Sequence, residues 1–348
     1  MKTTAIGVAV GVLMCLVLAE ITCRVLPVSG ATKSDYYIDP RILTYAPSHT
    51  WRSSMGWDLR RPQTLSTNAH GFISTHEFKH DERAIALVGD SYVEATSLDA
   101  IDRPAAQLER ALGGHRYVYA MGSAGTSLLD YAERIRYAHQ HFGIRDFVVL
   151  MERNDARQAL CGSGNVTSQC IDPQKLTPRT ESRPKPSMLK RILRESALAQ
   201  YFASQLKIRP SEILRQLRTA TKLHALEETS TTTPARLTSL SEPSTRQIEV
   251  VMQTFFARAM PYVKGKLVIA VDADRRALMN GRGATDPERT RVIELAQAAG
   301  AIVIDAEPLF AKHYAESTLS LDLGPDDAHF NALGARLIAD ALARVLRE

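Results

Sequence analysis

Short apolar runs alternate along most of the chain with stretches of helical spacing. The runs cover residues 85–88, 117–121, 147–151, 267–271 and 302–304. Each is continuous in apolar residues and bounded by turn residues, the pattern of a strand buried on both faces. Between and after them, residues 105–112, 127–141, 245–262, 287–299 and 331–346 repeat apolar positions every three or four residues. In the 127–141 segment Leu128, Leu129, Ile135 and Ala138 form the apolar face. Five strands separated by helices predict a five-stranded parallel sheet covered on both sides, that is, an α/β chain with a doubly wound sheet.

Two stretches break the alternation. Residues 31–80 are irregular, with scattered aromatics (Tyr36, Tyr37, Tyr45, Trp51, Trp57) and turn residues, and read as a membrane-proximal linker with short strands leading into the domain. After Arg157 the strand signal disappears, and residues 172–245 are rich in Pro, Ser, Thr, Lys and Arg. Residues 188–206 and 213–226 keep helical periodicity, whereas 228–242 has the composition of an exposed loop. The expected organisation is therefore a domain over 81–348 that carries a helical insertion at about 172–245. No internal repeat is visible.

Residues 1–30 differ from the rest. Lys2 precedes fifteen uninterrupted apolar residues from 5 to 19, followed by Glu20, Cys23 and Arg24. Fifteen residues suit a secretory apolar region, and extension to Val28 gives a spanning length with Glu20 near its end. No small-x-small cleavage site follows, and Thr22 before Cys23 is a poor lipidation signal. The expectation is an uncleaved signal anchor that exports the remainder of the chain, with a cleaved signal and a lipoprotein as the alternatives.

Composition narrows the picture only a little. The chain has 348 residues, 45% of them hydrophobic, enough for one large core. The net charge of +5 is not gathered in a basic, aromatic-interleaved block, which argues against a nucleic-acid partner. Of four cysteines, Cys15 and Cys23 lie in the anchor. Cys161 and Cys170 lie nine positions apart in a Gly/Ser/Asn loop, where an oxidising compartment would join them in a disulfide. Two cysteines alone make a poor zinc site; no metal and no cofactor are expected.

Four places carry candidate chemistry. Gly89-Asp90-Ser91 follows the first strand and puts a hydroxyl at its carboxyl end, although Asp90-Ser91 also suits a plain helix cap. Gly122-Ser123-Ala124-Gly125 follows the second strand, where a glycine can present a backbone N–H to an anion or simply make the turn. Glu152-Arg153-Asn154-Asp155 follows the third, with Asn154 offering an amide donor, Asp155 suited to cap the helix or fix the loop, and Glu152 and Arg153 suited to a surface ion pair. Asp326-Asp327-Ala328-His329 precedes the last helix. A serine nucleophile needs an imidazole to take its proton, and the imidazole needs a carboxylate to hold its tautomer.

Taken in this order, the four sites resemble the four blocks of the SGNH/GDSL hydrolase superfamily, over residues 66–160 and 245–345. The resemblance implies a three-layer α/β/α sandwich, Ser91 as nucleophile, and Asp326 with His329 as its relay. It also implies an oxyanion hole of Ser91, Gly125 and Asn154, with Gly122 as an alternative register to Gly125. The three-residue spacing would fold Asp326 back onto His329 and leave Asp327 pointing away. Glu152 departs from the family's pattern, which has glycine there. The implied activity is ester hydrolysis or acyl transfer through an acyl-serine. A membrane-anchored, exported chain of this kind suggests an O-acylated extracellular polysaccharide or a small ester as substrate, with polysaccharide-assembly proteins as partners. The expected location is the bacterial inner membrane, single-pass, with the catalytic domain in the periplasm. A lipase-like esterase at the membrane and a non-catalytic carbohydrate-binding subunit are the alternatives. Lys190, Arg191 and Arg194 in the insertion fit either a solvated helix face or contact with anionic head groups.

Overall fold

The computed structural model describes residues 2–163, 169–180, 187–208, 244–283, 286–325 and 327–347. The expected helix at 213–226 and loop at 228–242 lie outside the described residues. In chain order the strands are β1 (Ser34–Asp39), β2 (Ile42–Tyr45), β3 (Thr50–Met55), β4 (Arg60–Ser66), β5 (Ile85–Gly89), β6 (Val118–Gly122), β7 (Asp146–Met151), β8 (Gln169–Ile171), β9 (Pro178–Thr180), β10 (Leu267–Val271), β11 (Ile302–Asp305), β12 (Asp322–Gly324) and β13 (Asp327–Phe330). The chain divides into two compact units, one of residues 1–32, 51–64 and 185–241, the other of residues 33–50, 65–184 and 242–348.

The larger unit is built on a sheet ordered β11-β10-β7-β5-β6. All four pairings are parallel, as the sequence pattern predicts. Its strands send successive side chains to opposite faces. Ala86, Val88, Tyr119, Met121, Phe147, Val149, Met151, Leu267, Ile269 and Val271 enter one core, beneath the helices Leu128–Phe142, Thr245–Ala259 and Pro287–Ala298. Ile85, Leu87, Val118, Ala120, Val148, Leu150, Val268 and Ala270 enter the other, against Pro104–Ala111, Ala306–Glu316 and Ala332–Arg347. The result is a three-layer α/β/α sandwich. The helix Ala306–Glu316 was not expected: its alanines and charged residues give a weak apolar stripe, and only Ala306 and Phe310 are buried. A reciprocal cap starts the 245–259 helix, Gln247 N donating to Ser244 Oγ at 3.3 Å and Ser244 N to Gln247 Oε1 at 2.8 Å.

The strand order reverses at β5, because the chain goes to β6 on one side and returns to β7 on the other. In open parallel sheets, ligands bind outside the carboxyl ends of the strands at such a switch point. Ser91 lies there.

In the smaller unit the helix Lys2–Val25 contains a 22-residue span, Thr4–Val25, with mean hydropathy 2.4. At 1.5 Å per residue it is about 33 Å long, long and apolar enough to cross a bilayer. The same unit contains most of the β3–β4 hairpin, the helices Met188–Glu195 and Ala197–Gln200, and the π-turn Tyr201–Gln205.

Candidate active site

Ser91 opens a single helical turn, Ser91–Glu94, immediately after β5. Asp90 caps that turn, its Oδ1 accepting from Tyr92 N at 2.8 Å. Both readings of Asp90-Ser91 therefore hold: the cap forms, and it aims the serine outward. Ser91 Oγ lies 2.8 Å from His329 Nε2, and His329 Nδ1 lies 2.6 Å from Asp327 Oδ1. The three side chains form one continuous line of hydrogen bonds.

The carboxylate in this line is Asp327, where the sequence pointed to Asp326. Asp326 itself lies outside the described residues. The local structure explains the change. Residues 327–330 form a strand, β13, paired antiparallel with β12, and not the start of a helix. Along a strand, residues two apart face the same side, whereas a three-residue spacing favours contact only in a helix. Asp327 Oδ1 also accepts from His329 N at 3.1 Å, which fixes the carboxylate to the strand that carries the imidazole.

Tyr92 joins the two halves of the site. Its ring lies 4.8 Å from that of His329, and its hydroxyl donates to Ala328 O at 2.8 Å. Beneath it lies Arg275, a buried residue just beyond β10. Its guanidinium donates to Asp272, to Asp322 Oδ1 at 2.5 Å and to the carbonyl of Ala328, and it stands 4.3 Å from the centre of the Phe330 ring. One side chain thus ties β10, β12 and β13 together under the histidine.

The glycines after β6 have separate reasons. A Cβ on Gly122 would fall 2.8 Å from Asp90 O and from Glu94 N, so the Ser91 turn packs directly on its backbone. Gly125 has φ of +73°, a conformation that glycine adopts without strain. Glu94, buried in the Ser91 turn, accepts from Ala124 N at 2.8 Å and from Tyr45 Oη at 3.0 Å. It links the Ser91 turn to the Gly125 turn. Behind both, the buried Arg134 donates to Gly89 O at 2.6 Å and to Thr126 Oγ1 at 3.0 Å.

After β7, Glu152 and Arg153 do not pair with each other. Arg153 Nη1 bonds Asp274 Oδ2 at 2.5 Å. Glu152 instead grips Asn154, accepting from its backbone N–H at 2.7 Å and from its side-chain amide at 2.8 Å. Asp155 is buried and accepts from Glu152 N at 2.9 Å, so it does fix the loop. The Cys161–Cys170 disulfide is formed, with Cα atoms 4.9 Å apart. The flanking backbone is paired as well, Cys161 N donating to Ile171 O at 2.9 Å.

The electrostatics are unusual for the number of buried acids. Burial pushes the carboxyls of Glu94 and Glu152 up to about 7, against the hydrogen bonds that each accepts. Burial and the charges of Asp90 and Glu152 push Asp155 well above the usual carboxylate range. Asp90 is raised by burial too. For His329, burial pulls the pKa down, but the hydrogen bond and charge of Asp327, with the charge of Asp90, outweigh it and leave the imidazole above its ordinary value.

The sequence reading missed Arg275, Arg134, Glu94 and Tyr92. A signal existed for one of them. Arg134 sits three residues after Tyr131 and six after Leu128 on the buried face of its helix.

The doubly wound sheet thus presents a hydrogen-bonded serine, histidine and aspartate at its carboxyl edge, a geometry in which an imidazole can take a serine's proton. No family model and no curated protein matches the chain. Among solved structures it is similar to a lipolytic protein of the G-D-S-L family from Veillonella parvula, at 13% identity over 76% of this chain and 99% of that one, with TM-score 0.39. It is also similar to a catalytic mutant of an acetylxylan esterase from Geobacillus stearothermophilus, at 12% identity over 76% and 94%, with TM-score 0.40. A carbohydrate acetylesterase from Sinorhizobium meliloti is similar at 11% identity over 76% and 98%, with TM-score 0.36.

Proposed function

We propose that the chain is an SGNH-type serine esterase or acyltransferase, held at the bacterial inner membrane by its N-terminal helix with the catalytic unit in the periplasm. The observation that carries this reading is the Asp327–His329–Ser91 line of hydrogen bonds at the switch point of the sheet. Ser91 Oγ attacks the ester carbonyl while His329 Nε2 takes its proton. The negative oxygen of the tetrahedral intermediate is held by the backbone N–H groups of Ser91 and Gly125 and by the amide of Asn154. The intermediate collapses to an acyl-serine as His329 returns the proton to the leaving alcohol. Water or a sugar hydroxyl then attacks the acyl-serine, again losing its proton to His329.

The acyl group in this reading is acetyl; the charge that Glu152 gains as pH rises through about 7 disfavours an anionic acyl chain beside Asn154. The acyl carrier in this reading is an extracellular glycan, in keeping with an exported, membrane-held chain. The test uses the full chain with a chromogenic acetyl ester, an O-acetylated oligosaccharide and a fluorophosphonate probe. Ser91→Ala should retain its circular dichroism spectrum, lose hydrolysis and escape labelling. A labelled Ser91→Ala variant, or one with more than a few per cent of wild-type turnover, rejects Ser91 as nucleophile. Acetyl release from the small ester but none from the oligosaccharide rejects the glycan.

A further inference from the structure

We infer that the smaller unit carries a binding site for anionic phospholipid, formed by the Met188–Glu195 helix and the cavity beside it. The inference rests on the reading of the N-terminal helix as a membrane anchor, and nothing in it depends on the catalytic site.

The first observation is the partition of the helix. At about 100° per residue, Met188, Leu189, Ile192 and Leu193 fall on one arc and Lys190, Arg191 and Arg194 on the opposite one. The apolar arc is not buried: Met188 is 78% exposed, Leu189 66% and Ile192 59%. An apolar face opposite one that carries three cations, with Glu195 alone at its border, is the design of a helix that lies in the headgroup region of a bilayer.

The second observation places this helix at the level of a membrane surface. Glu20, in the last turns of the apolar span, accepts from Ser196 Oγ at 2.8 Å, Ala197 N at 3.0 Å and Leu198 N at 2.9 Å. A carboxylate near the end of a membrane helix thus caps the helix that follows Glu195. Arg24 completes the junction, bonding Glu20 at 2.8 Å and the carbonyl of Glu195 at 3.1 Å. Glu20 lies five residues before the end of the span at Val25, a depth of about 8 Å at 1.5 Å rise per residue. That is the depth at which interfacial helices rest.

The third observation is a cavity of about 780 Å³ in the same unit, lined by Trp51, Leu193, Phe202 and Ile208 and by Lys190 and Arg194. Apolar walls with two cations suit an amphiphile with one negative head. The phosphate of an anionic phospholipid would sit between Lys190 and Arg194, and an acyl chain along Leu193, Phe202 and Ile208. The basic arc supplies the charge that selects anionic over zwitterionic lipid.

The test places a bimane fluorophore on Leu189→Cys in a Cys15→Ser, Cys23→Ser background of the full chain. The protein is mixed into vesicles of phosphatidylcholine alone or with phosphatidylglycerol. Nitroxide-labelled acyl chains should quench the label, aqueous iodide should not, and phosphatidylglycerol should strengthen the lipid quenching. Lys190→Gln with Arg194→Gln should lower the preference for phosphatidylglycerol about tenfold or more. Quenching by iodide and not by nitroxide lipid, or a response indifferent to phosphatidylglycerol, overturns the site. Carbonate extraction separates the two readings. Release of the chain from vesicles rejects the anchor, whereas a retained chain whose label responds only to iodide rejects the phospholipid site alone.

Discussion

Asp327 Oδ1 lies 2.6 Å from His329 Nδ1, and the two residues point to the same side of one short strand. The carboxylate and the imidazole it serves are thus carried on the same piece of backbone, so that any movement of β13 moves them together. This predicts a clear ranking. Asp327→Asn should lower kcat for acetyl-ester hydrolysis by about 10³–10⁴, since the amide no longer holds the Nδ1–H tautomer. Asp326→Asn should change it by less than about threefold. Steady-state kinetics of the two variants decide, and the opposite ranking returns the role to Asp326.

The acid limb of kcat/KM should have its midpoint above pH 6.5. An imidazole acts as a base only when neutral, and the balance of burial against Asp327 and Asp90 leaves the pKa of His329, the proposed base, raised. Activity is therefore lost as pH falls through that raised value. In Asp327→Asn the limb should move to lower pH while the plateau drops. A limb at the same pH in both proteins separates it from His329.

How much of this was legible beforehand differs by element. The five sheet strands were plain because each is buried on both faces, which leaves a run of apolar residues that no helix of that length would need. That Ser91 and His329 were worth pairing was legible from Gly89-Asp90-Ser91 at a strand end and Asp-x-x-His before the last helix, and the structure brings the two within 2.8 Å. The partner of His329 was not. Two adjacent aspartates offer a helical or an extended geometry, and only the pairing of β13 with β12, made to a segment with little strand signal of its own, selects Asp327. Arg275 was invisible for a related reason: its partners Asp272, Asp322 and Ala328 meet only once β10, β12 and β13 are assembled.

Glu152 grips Asn154 through two hydrogen bonds. Its carboxyl is pushed up to about 7, so across the working range it changes from neutral to negative beside a proposed oxyanion donor. Glu152→Gln keeps an acceptor for Asn154 and removes the charge. The ratio of variant to wild-type kcat/KM should be near 1 at pH 6 and rise to roughly 3–10 above pH 8, because a negative neighbour opposes the developing oxyanion. A ratio that stays flat with pH shows that the Glu152 charge does not reach the reaction.

The Cys161–Cys170 bond closes a loop whose ends are already paired through Cys161 N and Ile171 O. Replacing both cysteines by serine should lower unfolding free energy by about 2–3 kcal/mol on the chain-entropy model. Chemical denaturation of the variant against the oxidised wild type measures this. Since the loop follows the Asn154 segment and does not enter the Ser91–His329–Asp327 line, kcat at 25 °C should fall less than about twofold. A large loss of kcat with unchanged stability would mean that the disulfide positions Asn154.

Arg275 makes the sharpest case for a residue that acts through its neighbours. Removing its charge leaves Asp272 buried without a cation and Asp322 with only Arg276, 3.6 Å away, and Arg275→Met should cost about 3–5 kcal/mol of stability. Loss of stability alone would not distinguish a scaffold from a positioning role, but the pH profile does. The Arg275 charge lowers the pKa of His329. In Arg275→Met the acid limb of kcat/KM should therefore move to higher pH, with kcat reduced as β13 loses its tie to Ala328 O. Arg275→Lys keeps the charge but not the planar fork that reaches three acceptors at once. Its acid limb should stay at the wild-type position while kcat falls. If both variants keep the wild-type limb and differ from wild type only in denaturation midpoint, Arg275 supports the fold and does not position the histidine.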